Sequence, residues 1–115
     1  MPVLVMKFGG TSVANLDRIA RAAKRVGVEV AKGYDVIVIV SAMSGKTNEL
    51  VGWVNETSPL FDAREYDSVL ASGEIVTAGL MALRLQEMDI PARSWHGWQV
   101  PLQTTANHSC LLYTS

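Results

Sequence analysis

Lys7, Gly9 and Gly10 stand together in Lys7-Phe8-Gly9-Gly10-Thr11-Ser12, directly after the apolar run Val3-Leu4-Val5-Met6. Glycine has no Cβ, so the backbone N–H groups of Gly9 and Gly10 can approach an anion that any side chain would hold away. A strand that passes through a glycine turn into a helix start is a natural phosphate site, because unpaired N–H groups and the helix dipole both favour negative charge. Lys7 adds a full positive charge beside the turn. The chemistry suggested is binding of a phosphoryl group and, by extension, its transfer. The plainer reading is a tight turn whose glycines only reverse the chain, with Lys7 a solvated residue at a strand end. Lysine in that position tips the reading toward a ligand, since open α/β sheets bind ligands at the carboxyl ends of their strands.

A second candidate, Ser41 to Thr47, again follows an apolar run. Its Ser44-Gly45-Lys46-Thr47 matches the end of a P-loop, G-x-x-x-x-G-K-[ST]. The first glycine of that pattern falls at position 40, which is valine, and the segment follows the second strand rather than the first. What remains is either a polar turn in which Ser44 or Thr47 caps a helix, or a hydroxyl-rich pocket for a small polar substrate. Glu74 follows Ser72-Gly73 at an expected helix start, where the helix dipole alone would favour a carboxylate. Trp53, Trp95 and Trp98 read as core or interface aromatics, and His96 and His108 as structural.

These residues need elements to position them. Val3 to Phe8 reads as a strand apolar on both faces, the pattern of a buried parallel sheet. Asn15 is placed to cap a helix running to about Lys32, with Leu16, Ile19, Ala20, Ala23, Val26 and Val30 inward and Arg18, Arg21, Lys24 and Arg25 solvated. Gly33 ends it. Val36 to Val40 is a second strand, rich in β-branched residues, and strand–helix–strand within this span implies a right-handed βαβ unit. A helix from Lys46 to Glu56 follows, broken at Ser58-Pro59. Asp62 to Met88 reads as helix in two pieces hinged at Ser72-Gly73, burying Val76, Leu80 and Leu83, with Met81 and Leu85 as further candidates. Ile90 to Trp95 is expected as a third strand.

Composition narrows the function classes. A chain of 115 residues is one small domain or part of a larger one, and a formal net charge of −1 makes no electrostatic case for nucleic acid or an anionic membrane surface. The longest apolar run, Val36 to Val40, is far short of a membrane span. No secretory signal is visible at Met1-Pro2-Val3. One cysteine, Cys110, and two histidines make neither a disulfide nor a metal cluster, so no metal ligands are expected and a reducing cytoplasmic setting is the default.

Three segments together, Lys7 to Ser12, Val40 to Asn48 and Ala71-Ser72-Gly73-Glu74, resemble in order and spacing the N-terminal part of the aspartokinases, in the amino-acid kinase superfamily. The resemblance runs from about Val3 to His108 and takes in Gly97 to Pro101. It implies a three-layer α/β/α sandwich with a mainly parallel sheet, present only in part. It also implies transfer of the γ-phosphoryl group of MgATP to the β-carboxylate of L-aspartate, with ATP and Mg²⁺ as cofactors and a homo- or hetero-oligomeric parent. By the same resemblance Lys7 is catalytic and, with Gly9, Gly10 and Ser41, binds ATP. Gly45, Thr47 and Glu74 fall on the aspartate side. Thr105 stands where the family places aspartate, and residues 110–115 match nothing expected. The expected organisation is therefore residues 1–109 as the first portion of a catalytic domain and 110–115 as an unassigned tail, with the 115 residues alone inactive. Alternatives are a kinase of the same superfamily acting on glutamate, acetylglutamate, carbamate or UMP, and a non-catalytic assembly fragment associating through Trp53 and sheet edges.

Overall fold

The computed structural model describes residues 2–58, 60, 62–95 and the backbone of 110–114. His96, His108, Trp98, Pro59 and the Gly97 to Pro101 segment lie outside the described residues. Among the described residues four strands, β1 (Val3–Phe8), β2 (Asp35–Val40), β3 (Ala92–Trp95) and β4 (Cys110–Thr114), form one sheet in the order β1-β2-β4-β3. Every pairing is parallel, with Val3 opposite Asp35 through to Phe8 opposite Val40, and Val36 opposite Cys110 through to Val40 opposite Thr114. Three α-helices accompany it among the described residues: α1 (Leu16–Ala31), α2 (Lys46–Thr57) and α3 (Ala63–Glu87).

The sheet alternates as pleated strands must. Val36, Val38 and Val40 are buried on the face that α1 and α3 cover, and Leu4, Met6 and Phe8 of β1 turn the same way. On the other face Val3 and Val5 are 45% and 56% exposed. The described residues thus supply one helical layer of the expected sandwich. Its core joins Phe8 and Val13 to Ile19, Ala22, Ala23 and Val26 of α1 and to Ala78, Met81, Ala82 and Leu85 of α3. Burying side chains of the larger kinds contributes about 1.5–3 kcal/mol each.

Helix α1 begins and ends as its residues demand. Asn15 Oδ1 accepts the Arg18 backbone N–H at 2.9 Å, and Gly33 takes φ +98°, a left-handed conformation that a side chain would strain. Asn15→Ala is expected to cost about 1 kcal/mol, read as a lower midpoint in chemical denaturation; an unchanged midpoint would show that the cap contributes nothing. The four basic residues of α1 are exposed as expected, but Leu16 is 67% exposed and Ala22 takes its place inside. At Gly27, a Cβ would stand 3.2 Å from Ile90 Cδ1 and 3.3 Å from Met88 Cε, so α1 lies close against the turn leaving α3.

Helix α3 departs most from expectation. It is one unbroken helix of 25 residues, capped by Asp62 Oδ1, which accepts from Arg64 N–H at 2.7 Å. There is no hinge at Ser72-Gly73. The buried face is Gly73, Thr77, Ala78, Met81, Ala82 and Leu85, whereas Val76 and Leu83 are 54% and 63% exposed. Small residues are inside because α3 packs against α1, α2 and the sheet at once. Buried Thr77 is satisfied by donating its hydroxyl to the Gly73 carbonyl at 3.1 Å. By length and composition α3 would reach across a membrane, with a mean hydropathy of 1.4 over its most apolar window. A third of that window is buried in the structure.

Residues 110–114, set aside in the sequence as a tail, lie between β2 and β3 as strand β4. The third strand is shorter than expected, Ala92–Trp95. Trp53 is 54% exposed and lines an apolar groove of about 590 Å³ with Leu60, Tyr66 and Val69.

Candidate active site

β1 and β2 are neighbours and parallel, so their carboxyl ends open at the same edge. Phe8, the last residue of β1, buries its ring, and Gly9 continues in extended conformation with φ −73° and ψ 172°. Gly10–Val13 then forms a short 3-10 turn with no side-chain cap, Ser12 N–H donating to the Gly9 carbonyl at 3.0 Å. Helix α1 starts only at Leu16, so the turn, rather than a long helix, follows the glycines. The first N–H groups of such a turn have no partner within it.

The two strand ends are tied together. Ser41 N–H donates to the Phe8 carbonyl at 3.3 Å. A Cβ on Gly10 would stand 3.0 Å from the Ala42 carbonyl oxygen and 3.8 Å from Ser44 N, so only glycine allows the Gly9-Gly10 turn to rest on the Ala42–Ser44 loop. No atom lies within 4 Å of where a Gly9 Cβ would be, which leaves open space above that peptide. Gly45 takes φ +83° and begins α2 with no side-chain cap, so neither Ser44 nor Thr47 plays that part. Thr47 is exposed in the first turn of α2. Lys46 Nζ lies 3.3 Å from Glu49 Oε2, so the lysine of the P-loop-like run is paired along its own helix.

Helix α3 reaches the same loop. A Cβ on Gly73 would stand 3.1 Å from Ala42 Cβ, 3.3 Å from Leu50 Cδ1 and 3.5 Å from Lys46 Cγ. Glu74 is therefore the residue next to that contact, half-buried and in the middle of α3. The helix-dipole account of a first-turn carboxylate does not apply to it. Ala42, buried at 8% exposure, is the common neighbour: its carbonyl meets Gly10 and its methyl meets Gly73. Sequence reasoning missed this alanine, whose one signal is small size between two candidate segments.

Lys7 stands apart from the core. It opposes Ile39 in the β1–β2 register and is exposed, on the face of β1 away from α1 and α3. Among the described residues it makes no ion pair, so its charge is available to a ligand. No cluster of three His, Cys, Asp or Glu side chains among the described residues is placed to hold a metal.

A parallel α/β sheet carries a glycine turn and a lysine at the carboxyl edge of its first strand, and comparison with known proteins makes the family definite. The pattern of the Amino acid kinase family matches residues 2–110, and the chain belongs to that family. Within it the similarity is to aspartokinases. The chain is 53% identical over 118 residues to the aspartokinase of Rickettsia felis (strain ATCC VR-1525 / URRWXCal2), covering 100% of this chain and 29% of that protein. It is 44% identical over 108 residues to aspartokinase 2 of Bacillus subtilis (strain 168), covering 94% of this chain and 26% of that one. The crystal structure of aspartate kinase from Synechocystis superposes with a TM-score of 0.86 at 36% identity, over 100% of this chain and 22% of that chain. The chain thus spans about 29% of the length of the first of these relatives.

Proposed function

We propose that the whole protein transfers the γ-phosphoryl group of MgATP to the β-carboxylate of L-aspartate, giving 4-phospho-L-aspartate, the entry to lysine, threonine and methionine synthesis, in the cytoplasm. The observation that carries this reading is the meeting of Gly10 and Gly73 on Ala42, at the carboxyl edge of β1, where Lys7 is the last residue but one. It gathers into one place the three segments that resemble aspartokinases.

In this reading Gly9 and Gly10 present backbone N–H groups to the nucleotide phosphates, and Ser41 lies beside them. Lys7 offsets the charge that builds on the transferring group and its bridging oxygen. Gly45 leaves room for the acceptor, Thr47 donates a hydrogen bond to a carboxylate of aspartate, and Glu74 pairs with its α-ammonium. The acceptor carboxylate is ionised at neutral pH, so no general base is needed, and the work of the site is positioning and charge neutralisation. Mg²⁺, when bound, would neutralise phosphate charge further, held chiefly by the phosphates and water as this ion commonly is.

The reading is tested by ADP release from the whole protein with aspartate, glutamate, acetylglutamate, carbamate and UMP as acceptors. Turnover with aspartate alone is expected, and turnover with any other of these in its place would overturn it. The 115 residues by themselves are expected to release no ADP in response to aspartate, since they span only 29% of the Rickettsia felis relative.

A further inference from the structure

Outside that site, three arginines meet over one concavity. A pocket of about 220 Å³ is lined by Phe8, Ser12, Arg18, Arg21, Ala22 and Arg25. Its shape follows from α1. Arg18, Arg21 and Arg25 recur at intervals of three and four, so they share a helix face, and the small side chain of Ala22 leaves a hollow between them. Ala22 and Phe8 are buried and form an apolar floor, while Ser12 adds a hydroxyl from the 3-10 turn.

The charges do not balance within the pocket. Arg21 is paired with Asp17 at 3.1 Å, in an exposed contact. Arg18 and Arg25 make no ion pair among the described residues, which leaves two uncompensated positive charges facing one space. Like charges at this helical spacing repel one another. Two guanidinium forks and a hydroxyl are donors only or donor-capable, and they match an anion rich in acceptor oxygens and carrying two charges.

We infer that this pocket is a binding site for a dianionic phosphate group, free or as a monoester. It lies on the opposite side of β1 from Lys7, although Ser12 belongs to the same 3-10 turn as Gly10. Phe8 and Lys7 are successive residues of β1, so their side chains project to opposite faces of the sheet; the pocket lies on the face that α1 covers. The inference therefore does not depend on the proposed kinase activity.

The test is an NMR titration of this chain at low ionic strength with inorganic phosphate and, separately, glycerol phosphate, against chloride at matched ionic strength. Saturable shifts at Ser12, Arg18 and Arg25 are expected. The double variant Arg18→Gln/Arg25→Gln, both exposed positions whose change leaves the core intact, should weaken binding by about tenfold or more, as loss of charge-assisted bonds predicts. Lys24→Gln, on the same helix but outside the pocket, should change it by no more than about twofold, the size of a general field effect. Tighter binding of the monoester identifies a phosphorylated metabolite as the occupant, and equal binding identifies free phosphate; either supports the site. Shifts that never saturate, equal loss in Lys24→Gln, or loss of binding in Lys7→Ala would each overturn it.

Discussion

Lys7→Ala in the whole protein is expected to lower kcat/KM for aspartate by about a hundred- to a thousandfold, the usual effect of removing one group that stabilises developing charge. The melting temperature should hardly move. Lys7 is exposed at the end of an edge strand and makes no ion pair among the described residues, so nothing in the fold rests on its ammonium group. Steady-state kinetics and a thermal melt on the same preparation separate the two outcomes. If activity and melting temperature fell together, Lys7 would be structural and the site would need another cation.

Gly73→Val is expected to act on fold and site at once. Its Cβ would enter 3.1 Å from Ala42 Cβ and 3.3 Å from Leu50 Cδ1, both packed atoms of the loop and of α2. Overpacking of this kind costs about 1–3 kcal/mol. The movement does not stay local. Ala42 pushed away from α3 carries its carbonyl against the Gly10 turn, so kcat/KM should fall even at temperatures where the variant is fully folded. Gly73→Ala is the milder control, because its gain in helix propensity of about 1 kcal/mol opposes the contact it strains. A Gly73→Val protein of normal activity would show that α3 and the glycine turn are not coupled through Ala42.

How much of this was legible in the sequence depends on whether a feature is local. The β-branched run Val36 to Val40 and the apolar run Val3 to Phe8 announce strands, and their spacing across one helix announces a parallel pair. Asn15, Gly33 and Ser58 mark helix ends because capping and left-handed turns are decided by a few neighbouring atoms. The buried face of α3 is a different matter. Apolar side chains surround that helix, so periodicity could not choose between Val76 and Leu83 on one side and Met81 and Leu85 on the other. Close packing decided it, by placing Gly73, Ala78 and Ala82 where neighbours approach.

The same cause explains the absent hinge. Gly73 reads as a point of flexure, but in the fold its missing side chain is used for contact with Ala42 and Leu50. Strand β4 was hidden for a further reason. Its partners, Val36 to Val40 and Ala92 to Trp95, are distant in sequence, and Cys110 to Thr114 carries no pattern that names them. At the candidate site, Lys7 and the glycines suggested an anion site by their chemistry, whereas the roles of Thr47 and Glu74 came only from the family resemblance. Ala42 was not legible, because its role is to be small and shared.

The most direct test of the proposed site is to identify its product. The whole protein, incubated with MgATP and L-aspartate, is trapped with hydroxylamine and the hydroxamate is located by NMR. A β-aspartyl hydroxamate, formed in step with ADP and lost in Lys7→Ala, is the predicted result. ADP without hydroxamate, or an α-hydroxamate, would contradict the account.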